Sequence, residues 1–154
     1  MIVPDAQFSP DPFLPGDPEE IMLSGQFNTE IEVIIGHNRD ESLITLLPYV
    51  VDPSLLEGLK ENFDTIVTRF IFNIANESDI TDNDRSNARQ LLSYYTGSDS
   101  LDALNIKALV DLYTDSWFAY GHHKTVDRLT MHGVPVFQYF FAYEGLQSLF
   151  LIRH

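Results

Sequence analysis

The chain has 154 residues, room for one domain or a piece of one, and 44% of them are hydrophobic, enough for a core and too many for a disordered chain. Its 23 acidic residues against 9 Lys and Arg give a net charge of −14, a field that makes nucleic acid and anionic membrane surfaces poor partners. There is no cysteine, which excludes disulfides, thiolate nucleophiles and cysteine-based zinc sites.

No run of residues approaches the ~18 apolar positions of a membrane-spanning helix. The opening "MIVPDAQFSPDPFLPG" lacks the basic flank and apolar centre of a signal peptide. Pro4, Pro10, Pro12, Pro15 and Pro18 crowd residues 1–19; each lacks an amide donor and fixes φ, so the stretch is expected to be an extended loop lying on something else. "DPEEIMLSG" (17–25) predicts a short helix, with Asp17 as N-cap, Pro18 in the first turn and Gly25 as the stop. "EIEVIIG" (30–36) is short and β-branched and predicts a buried strand that Gly36 ends. Asp52-Pro53 repeats the helix-opening pair. "FDTIVTRFIFNIA" (63–75) is apolar enough for a buried helix, with a strand as the alternative.

"DNDRSNARQLLSYYTG" (82–97) places acids first and glycine last, again helical. Ile106, Val110, Tyr113, Trp117 and Tyr120 recur every three or four residues, one helical stripe whose plain meaning is core packing. Gly121 is expected to bend or break that helix before "HHKTVDRLTMHG". "VPVFQYFFAY" (134–143) predicts a second strand. The order is strand, several helices, strand, an α/β organisation in which the two strands lie parallel in one sheet. Two strands that both read as interior do not cover themselves. The sheet is therefore expected to be incomplete, with an open edge and unburied apolar surface.

Functional side chains in α/β folds gather in loops at the carboxyl ends of strands. Glu41 stands on such a loop, five residues beyond Gly36. A carboxylate there can accept an imidazole N–H and stabilise the imidazolium of acyl transfer, or it can be a solvated loop acid or a helix cap. His122 and His123 are adjacent, so on a helix they point apart and do not share a metal. "DITDNDRSNARQ" (79–90) lacks the central glycine and terminal acid of an EF-hand. Asn76-Glu77-Ser78 is a glycosylation sequon, with meaning only in a chain that enters the secretory pathway.

"FLPGDPEEIMLSGQFNTEIEVIIGHNRDES" (13–42) resembles the type-B carboxylesterases, the cholinesterase-like branch of the α/β-hydrolases. "LVDLYTDSWFAYG" (109–121) and "GVPVFQYFFAYEG" (133–145) are similar, in order, to that family's Asp-x-x-x-Phe helix and its next aromatic strand. The resemblance implies a partial α/β-hydrolase fold: residues 1–154 as the C-terminal-side portion of the catalytic domain, truncated at both ends. It also implies a Ser-His-Glu hydrolase of small-molecule carboxylic esters that needs no cofactor. Gly36, Asn38 and Glu41 fall on the family's Gly-x-Asn-x-x-Glu-Gly loop, which makes Glu41 the triad acid. Ser42 stands where that loop has glycine, so backbone strain is expected there.

The fold's order of nucleophile, acid, histidine leaves the other partners outside the matched pieces. No serine here has the Gly-x-Ser-x-Gly setting, and the glycine-rich oxyanion loop is missing. His154 lies closer to the second strand than the family histidine, His132-Gly133 precedes that strand, and His37 reads as a surface-loop residue. The chain alone is therefore expected to be inactive. The alternatives are a non-catalytic, cholinesterase-like adhesion protein and a nonfunctional fragment. The family is often secreted or lumenal; nothing in the sequence fixes compartment or oligomeric state.

Overall fold

The computed structural model describes residues 8–143; Pro4, and His154 as a candidate base, lie outside them. The described residues form two compact units: those up to Gly36 together with His122–Tyr139, and His37–Gly121 together with those from Phe140. Among the described residues, no helix is long and apolar enough to cross a membrane.

In the first unit the proline-rich stretch is irregular, with Phe8 and Phe13 exposed. It leads into α1 (Pro18–Ser24), whose predicted caps are both in place. The Asp17 carboxylate accepts the N–H groups of Glu19 and Glu20 at 2.8 and 3.2 Å, and Gly25 closes the helix at φ 70°. These bonds satisfy donors and place glycine where a Cβ is disfavoured. Val126, Leu129 and Val134 are buried in this unit, and Lys124 pairs with Glu19 at 2.6 Å.

The second unit holds the larger core. Its helices are α2 (Leu47–Val51), α3 (Ser54–Glu61), α4 (Phe63–Ile71), α5 (Asp82–Thr96) and α6 (Ile106–Thr114). Segment 63–75 is therefore a helix, and a shorter one than its apolar run. α5 starts in a reciprocal cap between Thr81 and Asp84, and it packs on both α4 and α6. Phe63, Val67, Ala88, Leu92, Leu109 and Val110 meet there essentially without exposure. Each large side chain so buried stabilises the unit by about 1.5–3 kcal/mol.

The aromatic stripe runs through a break of a kind the sequence does not announce. After Thr114 the backbone widens into a π turn, Asp115–Ala119, where the Tyr120 N–H reaches back to the Asp115 carbonyl. α7 (Tyr120–Met131) continues from it through Gly121, which does not break the helix. Ile106, Val110 and Tyr113 are buried as predicted, but Trp117 is 40% and Tyr120 65% exposed. The extra residue of the π turn rotates the stripe away from the core.

Two strands, β1 (Val33–Asn38) and β2 (Val136–Phe141), pair in a two-stranded sheet. The Val33 N–H donates to the Pro135 carbonyl and the Arg39 N–H to the Phe141 carbonyl, each at 3.0 Å. The residue offset is the same at both ends, so the strands are parallel, as the intervening helices require. Gly36 lies inside β1 and does not end it. A Cβ there would sit 2.3 Å from the Tyr139 carbonyl oxygen, so glycine permits the close approach of β2. Burial departs from the sequence reading. Ile34 is 76% exposed, and Phe137, Tyr139, Phe140 and Phe141 each show more than half their surface. The strands form where the β-branched pattern puts them, and the described residues leave much of their apolar surface open.

Candidate active-site loop

β1 ends at Asn38, and the chain turns through Arg39 and Asp40 into a single 3-10 turn, Glu41–Leu43. Alternate amides of a strand face opposite sides. Val33 and Arg39 donate towards β2, so the Asn38 N–H faces the edge of β1 away from β2, which no strand covers among the described residues. Glu41 reaches back and accepts that N–H at 2.8 Å on Oε1. A charge-assisted bond thus satisfies a strand-edge donor and fixes one carboxylate oxygen. The side chain is half-buried, and Oε2 makes no hydrogen bond among the described residues. One oxygen is held and the other is available to a second donor.

Neighbouring residues complete the loop. Arg39 Nε donates to Asp40 Oδ2 at 3.0 Å, while Asp40 Oδ1 is buried without a hydrogen-bond partner among the described residues. Ser42 is fully buried. Its hydroxyl donates to the Val110 carbonyl at 3.0 Å and lies 2.8 Å from the Thr114 hydroxyl, which also accepts the Ser42 N–H at 3.2 Å. Asn73 is the only non-glycine with positive φ among the described residues, so Ser42 occupies no glycine-type backbone. The strain expected at this position is absent because a 3-10 turn suits any L-residue. Sequence reasoning missed Thr114 altogether. Its only signal was a threonine one residue beyond the buried stripe position Tyr113.

The histidines separate by role. His37 lies on β1 and not in a loop; its Nδ1 is 3.1 Å from the Asn38 carbonyl, and its ring meets Phe140 edge-on at 5.2 Å. His122 is buried, with Nε2 2.9 Å from Gln138 Oε1, whereas the neighbouring His123 is exposed. His132 packs in the space that Gly25 leaves, with Nε2 3.1 Å from the Leu23 carbonyl and Phe27 against its edge. Its task in that unit is to tie α1 to the end of α7. A separate hollow of about 440 Å³ is lined by Ile71, Asp115, Ser116 and Tyr120, and Asp115 there accepts the Tyr95 hydroxyl at 2.8 Å. Burial, and then that carboxylate, push the Tyr95 phenol far above its ordinary range.

The model of the Carboxylesterase family matches residues 3–151 of the chain. The juvenile hormone esterase of Tribolium castaneum is 30% identical over 145 residues, which cover 91% of this chain and 24% of that protein. The carboxylic ester hydrolase of Bombus ignitus is 23% identical over 143 residues, covering 92% of this chain and 25% of that protein. The chain thus spans about a quarter of the length of these curated relatives. No solved structure matches it.

Proposed function

The chain belongs to the carboxylesterase family, and from that premise we propose that it is the C-terminal-side portion of an α/β-hydrolase domain and supplies the acid of a Ser-His-Glu triad, Glu41. The observation that carries this reading is the Glu41 carboxylate at the carboxyl end of β1, with Oε1 held by the Asn38 N–H. An acid fixed by one backbone donor keeps its orientation while the other oxygen takes an imidazole N–H. In the complete enzyme a serine attacks the ester carbonyl, histidine accepts the serine proton and returns it to the leaving alcohol, and Glu41 stabilises the imidazolium between those steps. Water then releases the acid by the same route. The substrates are small carboxylic esters, and the chemistry calls for no cofactor.

The 154-residue chain on its own carries out no hydrolysis, because a carboxylate with nothing to orient accelerates nothing. Purified chain is expected to leave p-nitrophenyl acetate at its buffer rate and to take no label from a fluorophosphonate. Turnover that the fluorophosphonate abolishes overturns this assignment. The coding sequence upstream of Met1 supplies the second check. A Gly-x-Ser-x-Gly elbow is expected there; a substituted serine makes the parent a non-catalytic binding protein.

A further inference from the structure

We propose that Ser42 and Thr114 are positioning residues: a buried two-hydroxyl clamp that fixes the turn bearing Glu41 to helix α6. The proposal rests on the reading of Glu41 as the triad acid and adds the device that aims it. Three hydrogen bonds converge on Ser42, a residue with 0% exposure. Their directions are mutually consistent. The Ser42 hydroxyl donates to the Val110 carbonyl, the Thr114 hydroxyl donates to Ser42 Oγ, and the Ser42 N–H donates to Thr114 Oγ1. Neither hydroxyl proton is left over, and the bonded atoms belong to a helix of the main core.

Geometry carries the consequence to the carboxylate. The Ser42 nitrogen shares a planar peptide with the carbonyl and Cα of Glu41, so holding that nitrogen fixes where the Glu41 side chain starts. The Glu41–Asn38 bond fixes where it ends. With both ends held, the carboxylate has few rotamers left, the preorganisation a triad acid requires. A glycine at position 42 supplies no hydroxyl and none of the side-chain bonds. The serine is therefore the aiming element of this chain, and Thr114 is its partner 72 residues away.

Amide hydrogen exchange on the full 154-residue chain tests the clamp without any enzymatic readout. The reporter is the Asn38 N–H, protected by the Glu41 carboxylate; the Asp84 and Leu109 amides are controls. Thr114→Val, which keeps the shape and removes the hydroxyl, is expected to speed Asn38 exchange about tenfold, the effect of losing a buried hydrogen bond, and to leave both controls unchanged. Ser42→Ala should do the same, and Thr114→Ser should restore protection. Unchanged Asn38 exchange in Thr114→Val, failure of Thr114→Ser to restore it, or no protection in the parent chain overturns the clamp. So does collapse of Asn38 and the controls together in both hydroxyl-deleted variants, since the hydroxyls would then hold the core and not the carboxylate. The triad reading fails separately, through an active Glu41→Gln enzyme, and that outcome leaves the exchange result standing.

Discussion

Replacing Gly36 by alanine is the perturbation whose cost follows most directly from the geometry of the sheet. The added Cβ would lie 2.3 Å from the Tyr139 carbonyl oxygen and 2.5 Å from its ring carbons Cγ and Cδ1. Ordinary contacts between carbon atoms lie near ~3.5–4.0 Å, so β1 and β2 must part locally by about 1 Å. The half-exposed Tyr139 ring can swing aside; its carbonyl cannot. Overpacking of this kind costs ~1–3 kcal/mol, and stretching one ladder bond out of range adds ~1 kcal/mol. The smaller entropy of an unfolded alanine offsets ~0.4–1 kcal/mol. The net loss is ~1–3.5 kcal/mol, a fall in Tm of about 3–10 °C for a chain of this size. Gly58→Ala is the internal control. It is the same chemical change on exposed α3, with nothing within 4 Å of the new methyl, and it should stabilise by ~0.5–1 kcal/mol. Urea and thermal melts followed by circular dichroism read both variants. A Gly36→Ala protein as stable as the parent, or ranking above Gly58→Ala, refutes the close-approach argument.

Leu109→Ala empties a fully buried position on α6 and should cost ~2–5 kcal/mol in the same melts. In acid, the Asp84 and Asp52 carboxyls are held below their ordinary value of 3.8, by the hydroxyls of Thr81 and Ser54 and then by those residues' backbone N–H groups. Folded pKa values below the unfolded ones give stability that is present above pH 3.8 and lost as pH falls further; the double variant Asp52→Asn/Asp84→Asn should show a flatter acid limb in a plot of Tm against pH. Burial, then repulsion by Tyr49, pushes the Tyr113 phenol from 10.0 to about 12. A raised folded pKa gives stability that is present below pH 10 and lost as pH climbs to about 12; Tyr113→Phe should remove one of the late-titrating components, leaving that of Tyr95 in place, in an ultraviolet phenolate titration and flatten the alkaline limb.

The parts of the fold that were legible in the sequence are those whose causes are local. Asp17, Pro18 and Gly25 specify both ends of α1 within nine residues, and acids followed by Gly97 mark α5 in the same way. The parts that were not legible depend on distant partners. Gly36 looks like a strand stop in isolation, because its reason for being glycine is the Tyr139 backbone arriving from the far end of the chain. The π turn hides because the spacing of Tyr113 and Trp117 stays helical and their rings still touch, with centroids 4.6 Å apart, while one extra residue shifts everything after it. Exposure of β1 and β2 was half legible. Their composition reads as interior, and only the expectation of an incomplete sheet pointed to the apolar surface that the described residues leave open. At the candidate site, the loop pattern singled out Glu41, whose carboxylate the structure places on the Asn38 N–H, but Ser42 was misread as strain. Its meaning lies in two hydroxyls that sequence alone does not bring together.

Activity of the complete enzyme carrying Glu41→Gln, against wild type, decides the central claim. Glutamine keeps the size and can still accept the Asn38 N–H, yet it carries no charge to stabilise an imidazolium. If Glu41 is the triad acid, kcat falls ~10⁴-fold, the order seen when the triad acid of a serine protease is made neutral, with KM nearly unchanged. A variant that keeps kcat within a few-fold of wild type contradicts it.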